Sequence, residues 1–270
     1  MAAAAVLSSG PACAQDTHAR PFLLGIPLYF ADSRMEADDI AFLRRFLTDR
    51  DILFFRGAPS RNLYARHVRI ANTAVIRQSL SDLRRDANAM LQAAIPLDYL
   101  CYNPEVWPTS HTPPEEKADL VAATRRARAL SRQLNVKLIV VPDTKHTLPL
   151  HGKALAALAD AFGIQLQAFQ LDYPEPFREK TRQLVRIVRS GNPSVPIIAQ
   201  LSTNPPTGLW DGKTGKVLRP MSPEEIKRRV DAIRDLVDGF GFLLFKGDDG
   251  VSRFRNFIEL ERSERTPRPG

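Results

Sequence analysis

Cysteine is almost missing from this chain: its 270 residues contain two, Cys13 and Cys101. Cys13 lies in the extreme N-terminal stretch, so no internal disulfide is expected, and a chain this long can build a core without one. Cys101 stands mid-strand among apolar residues and reads as a small core side chain rather than a nucleophile. The five histidines form no His-x-His or His-x3-His pair. His111, His146 and His151 read as loop residues, and no metal site is expected. Glycine-rich loops are lacking as well: the first expected strand ends Leu28-Tyr29-Phe30-Ala31-Asp32. Without a phosphate-cradling loop, kinase and dehydrogenase chemistry falls away and no cofactor is expected. No Gly-x-Ser-x-Gly elbow offers a serine nucleophile. No apolar run after the N-terminus approaches the ~18 residues that a membrane span requires. Basic runs interleaved with aromatics are missing too, so a nucleic-acid partner is not expected.

What is present is an excess of positive charge on an otherwise ordinary composition. The net charge is +8, which suits an anionic polymer as partner. Most of the cations, such as Arg125, Arg126, Arg128 and Arg132, or Lys227, Arg228, Arg229 and Arg234, fall inside expected helices. They read first as a solvated outer face. Residues 1–15 are uncharged and alanine-rich and end in Ala12-Cys13-Ala14-Gln15. That resembles the small-x-small end of a secretory signal, although the basic start is missing. A secreted or periplasmic location is expected, with a disordered tail in a cytoplasmic protein as the alternative.

From residue 21 apolar runs alternate with amphipathic stretches. Strands are expected at Phe22–Phe30, Asp51–Arg56, Leu97–Tyr102, Val136–Val141, Ile164–Leu171, Val195–Leu201 and Gly241–Phe245. Their continuous apolarity suits parallel strands covered on both faces. His67–Ala74 could hold a further strand, before a helical stretch over Ile76–Ala94. Helices are expected at Ala37–Leu47, Pro114–Leu134, Ala154–Phe162, Phe177–Arg189, Pro223–Val237 and Ser252–Glu261. Thr112-Pro113-Pro114-Glu115 and Ser222-Pro223-Glu224-Glu225 read as cap, proline and acids at helix starts. Gly163 and Gly239 read as helix ends. Seven or eight strands alternating with helices predict an α/β fold of the (β/α)8 TIM-barrel type, a single domain over residues 21–264, with a disordered tail at 265–270.

In a parallel barrel the carboxyl ends of the strands gather around one mouth. Glu105, just past Leu97–Tyr102, is the leading candidate. A glutamate with Tyr102 and Trp107 as apolar neighbours could protonate a leaving oxygen, and Trp107 could stack on a sugar ring. Asp143 and Asp172 each follow an expected strand and could supply a second carboxylate; each also reads as a helix cap. Asp32, Tyr173, Gln200, Asn204 and Trp210 are candidate substrate-binding residues. Lys246 and Asp248 end the last strand.

The spacing of Asp98, Asn103 and Glu105 resembles the chitinase-type barrel motif, which places acids at its first, fourth, sixth and eighth positions. Here those positions hold Asp98, Cys101, Asn103 and Glu105. The resemblance implies Glu105 as the acid and Asn103 as the partner of a substrate acetamido group. Cys101 departs from the motif, which puts substrate-assisted catalysis in doubt. The expectation is therefore a glycoside-hydrolase-like barrel acting on a polysaccharide or oligosaccharide. A non-catalytic barrel binding a glycan or envelope polymer is the alternative. A lyase or aldolase using Lys246 as a Schiff-base amine is a third.

Overall fold

The computed structural model describes residues 51–55, 71–108, 110–205, 219–243 and 250–261 with their side chains, Arg45 and Asp49 singly, and the backbone of 23–27 and 262–265. Eight short parallel strands pair in chain order: β1 Leu23–Pro27, β2 Ile52–Phe55, β3 Asn72–Arg77, β4 Tyr99–Tyr102, β5 Lys137–Val140, β6 Ala161–Gln165, β7 Ile197–Ser202 and β8 Gly239–Leu243. β1 pairs with β2 and with β8, so the sheet curls back on itself. The helices that follow strands are α1 Leu80–Gln92, α2 Pro114–Ala118, α3 Leu120–Gln133, α4 Thr147–Ala156, α5 Glu175–Gly191, α6 Pro223–Ile233 and α7 Gly250–Arg265.

Alternation along each strand divides the core in two. Ile52, Phe54, Ala74, Ile76, Tyr99, Cys101, Ile139, Val141, Ala161 and Ile198 fill the barrel interior. Their neighbours Leu53, Val75, Leu100, Tyr102, Leu138, Val140, Phe162, Ile164, Ala199 and Phe242 face outward into the layer beneath the helices. On α5 the residues meeting that layer, Phe177, Thr181, Leu184 and Val188, recur at helical spacing. Ser222 caps α6 through a full capping box with Glu225, as its sequence predicts.

Several boundaries differ from the sequence expectations. β3 begins at Asn72 rather than His67, and α1 begins at Leu80, where the Ser79 side chain accepts from the Asp82 N–H. The single helix expected over Pro114–Leu134 is two, broken at Asp119, whose extended backbone (φ −147°) lets its carboxylate cap α3. Thr112 does not cap α2; its hydroxyl accepts from the Glu105 N–H instead (2.9 Å). The expected helix Ala154–Phe162 lies earlier, at α4. The expected strand Ile164–Leu171 also lies earlier, at β6, and residues Gln167–Asp172 form a 3-10 helix. Gly163 and Gly239 are strand residues, not helix ends. At Gly163 the reason is close packing: a Cβ there would lie 2.6 Å from Val141 Cγ2. The expected helix Ala37–Leu47 lies almost wholly outside the described residues.

Candidate functional site at the carboxyl ends of the strands

β4 carries the inward column of the barrel to its mouth. Tyr99 and Cys101 are interior, and the same parity brings Asn103 and Glu105 to the rim. Burial pushes the Cys101 thiol up, which keeps it protonated and inert. Tyr102, of opposite parity, points outward and donates to Glu116 (2.7 Å), which also accepts from the Leu80 N–H (3.0 Å). Tyr102 is therefore not an apolar neighbour of Glu105, as the sequence suggested; it ties β4 to the starts of α1 and α2. Burial, then the neighbouring Glu116, pushes its phenol up.

A cavity of about 170 Å3 opens at this rim, lined by Ile76, Arg77, Gln78, Asn103, Glu105, Gln165, Gln167, Gln200 and Leu243. Glu105 is only 6% exposed. Its backbone is held by Thr112 and by the Ser110 hydroxyl, which donates to its carbonyl (2.7 Å). Its carboxylate accepts at Oε1 from Asn103 Nδ2 (3.2 Å) and Gln165 Nε2 (3.3 Å), and at Oε2 from Gln78 Nε2. Arg77 also lines the cavity, with its Nε on the Asp86 carboxylate. Gln167 and Gln200 are half-buried. Neither makes a side-chain hydrogen bond among the described residues, so both carboxamides are open to a ligand. The rim thus offers one buried carboxylate, locked amides around it, and open amides beside it, donors and acceptors suited to hydroxyl groups.

Of the residues expected from sequence, Glu105, Asn103 and Gln200 come together here. Asp143 does not line the cavity. It is 1% exposed and accepts from the His146 N–H (2.6 Å), the Thr147 N–H (3.2 Å) and the Thr147 hydroxyl. Its carboxylate closes the turn that leads into α4, whose N-cap position is His146. Asp172 does not end a strand; it is exposed at the end of the 3-10 helix. Tyr173 packs against the outer core with the Arg229 guanidinium over its ring at 4.4 Å. Asn204 is buried and accepts from the Thr203 hydroxyl (2.8 Å). Trp107 is half-buried in the loop before α2 and is not among the residues lining the cavity. Asp32, Trp210, Lys246 and Asp248 lie outside the described residues. Asp98 sits at the opposite end of β4, where its carboxylate accepts from the Thr73 N–H (2.8 Å). At ~3.3 Å rise per residue it is roughly 20 Å from Glu105 along the strand. Among the described residues no three His, Cys, Asp or Glu gather as a metal would require, and no helix is long and apolar enough to cross a membrane.

Parallel strands with outer helices and a polar mouth at the strands' carboxyl ends define the TIM-barrel class of architecture. No family model matches the chain, and no curated protein matches it. Solved structures do. A Group IV chitinase of Ostrinia furnacalis superposes with a TM-score of 0.56 at 11% identity, covering 89% of this chain and 99% of that one. The PgaB (BpsB) glycoside hydrolase domain of Bordetella bronchiseptica superposes at 0.52 and 12% identity, covering 88% and 97%. The IOLI protein, solved with a zinc atom bound, superposes at 0.55 and 9% identity, covering 92% and 100%. At such identities the likeness establishes the fold. It includes glycoside hydrolases and also barrels of other kinds.

Proposed function

We propose that residues 21–264 form one complete (β/α)8 domain that acts on a carbohydrate at the mouth built around Glu105. The observation that carries this reading is the buried Glu105 carboxylate, ringed by the carboxamides of Gln78, Asn103 and Gln165, with the open carboxamides of Gln167 and Gln200 beside it. Glu105 is the reactive carboxylate, and Gln200 and Gln167 take sugar hydroxyls. The fold likeness to a chitinase and to a glycoside hydrolase domain agrees with this reading. Asp143 is left out of the catalytic group because it closes the turn into α4, and Asp172 because it is exposed away from the cavity. Asp32 and Trp210 keep the substrate-binding places expected for them. An exported protein with a basic surface facing an anionic or neutral polymer completes the proposal.

A second reading, a barrel that binds a glycan without cleaving it, is favoured by one observation. Glu105 is the only carboxylate among the described residues lining the cavity. Two-carboxylate hydrolysis needs a partner roughly 5–10 Å away. The test is reducing-sugar release from neutral, amino-sugar and acidic polysaccharides. Release by the wild type supports hydrolysis; binding to one polymer without release supports the second reading.

A further inference from the structure

The directions of the hydrogen bonds around Glu105 can be worked out from two backbone groups. The His111 backbone N–H can only donate, and it lies 2.7 Å from Gln78 Oε1. That assigns the oxygen of this carboxamide and turns its Nε2 toward Glu105 Oε2. On the other side the Val141 carbonyl can only accept, and Gln165 Nε2 lies 3.3 Å from it. Gln165 therefore presents hydrogens, not lone pairs, and with one committed to Val141 it shares the other between Asn103 Oδ1 (3.0 Å) and Glu105 Oε1 (3.3 Å). With its oxygen so engaged, Asn103 must turn Nδ2 to Glu105 Oε1 (3.2 Å). Both carboxylate oxygens thus face N–H donors. A neutral carboxyl is a poorer acceptor than a carboxylate, so a proton on either oxygen would weaken these bonds, and the donors work against the burial that would favour the neutral form.

We infer that Gln78, Asn103 and Gln165 are positioning residues that hold Glu105 as a carboxylate anion, so that it meets a ligand as a proton acceptor rather than as a proton donor. Donors aimed at both oxygens favour the charged form. Arg77 is the other titratable side chain lining the cavity among the described residues, and its Nε is turned to Asp86. The inference rests on reading this mouth as the ligand site. It departs from the acid role that the chitinase-type spacing implies for Glu105. It also changes the role of Asn103, whose carboxamide is committed to Glu105 rather than to a substrate acetamido group.

The test is infrared difference spectroscopy of the full chain near neutral pH, wild type minus Glu105→Gln, repeated in Gln78→Met and Gln165→Met backgrounds. Carboxylate stretching bands that disappear with Glu105 and shift in each Met background are expected. A carboxylic-acid carbonyl band that disappears with Glu105 would overturn the inference, and so would carboxylate bands left unmoved by either Met substitution. Should Glu105→Gln fail to fold, Glu105→Asp serves as the reference, since it moves the bands without removing the charge. No turnover is needed for this reading. Absence of sugar release would therefore count against hydrolysis alone, and an acid band against this inference alone.

Discussion

Two residues, Gln200 and Gly163, separate binding from architecture. Gln200 reaches the cavity and its carboxamide makes no side-chain hydrogen bond among the described residues. Gln200→Leu is expected to weaken sugar binding by about 1–2 kcal/mol, the worth of one or two lost hydrogen bonds, with stability little changed. Titration of the wild type and the variant with the same oligosaccharide checks it; equal affinities would remove Gln200 from the site. Gly163 is the structural counterpart. A methyl group there would press on Val141 Cγ2 at 2.6 Å inside a closely packed barrel. Gly163→Ala is expected to cost about 1–3 kcal/mol of stability, read as a lowered denaturant midpoint.

At the scale of elements, Asp143 is the sharpest case, because its two readings predict opposite results. As the group that satisfies the first N–H donors of α4, its loss in Asp143→Ala costs about 1–2 kcal/mol, and any sugar release survives at a temperature where the variant is folded. Loss of release from a folded variant would restore it as a catalytic carboxylate. The same element explains what the sequence disclosed and what it hid. β2, β4, β5 and β7 were legible because each is a continuous apolar run, and with β4 came Asn103 and Glu105. β7 brought Gln200. Gln78, Gln165 and Gln167 were missed because their strands were misplaced. A glycine signals a helix end as readily as close packing, and at Gly163 its small size serves contact with Val141, so the sequence places β6 too late. From Ala161 and Gly163, period two leads inward to Gln165, as from Ala74 and Ile76 it leads to Gln78. Tyr102 lies close to Glu105 in sequence but on the opposite side of the strand, which proximity in sequence alone does not reveal.

For the molecule as a whole, the outer layer is tied together by ion pairs that link elements distant in sequence. Arg128 meets Asp160, which also accepts from the Leu138 N–H, and Arg178 meets Asp235. Burial alone would push the Asp160 carboxyl up, but the Arg128 hydrogen bond, the Leu138 N–H and the charges of Arg128 and Lys137 outweigh it and hold it below its ordinary 3.8. Burial would likewise push Asp231 up, but Lys227 and Arg234 outweigh it and lower it, and Asp235 is lowered by its bond from Arg178. Carboxyls lowered on folding contribute stability that is fully present above their unfolded values and is lost as pH falls through the folded ones. Stability should hold from neutrality down to the ordinary aspartate range and fall below it, and Asp160→Asn should flatten that fall. Urea midpoints measured from pH 7 to about pH 3 check this, and identical acid limbs for both proteins would contradict it. On the proposed reading the mouth around Glu105 is a carbohydrate site worked by that one carboxylate. The most direct test is reducing-sugar release by wild type and Glu105→Gln on the same polysaccharide panel. Release from at least one polymer is expected, lowered by about 10²–10⁴-fold in the variant; equal release by the two proteins would rule this role of Glu105 out.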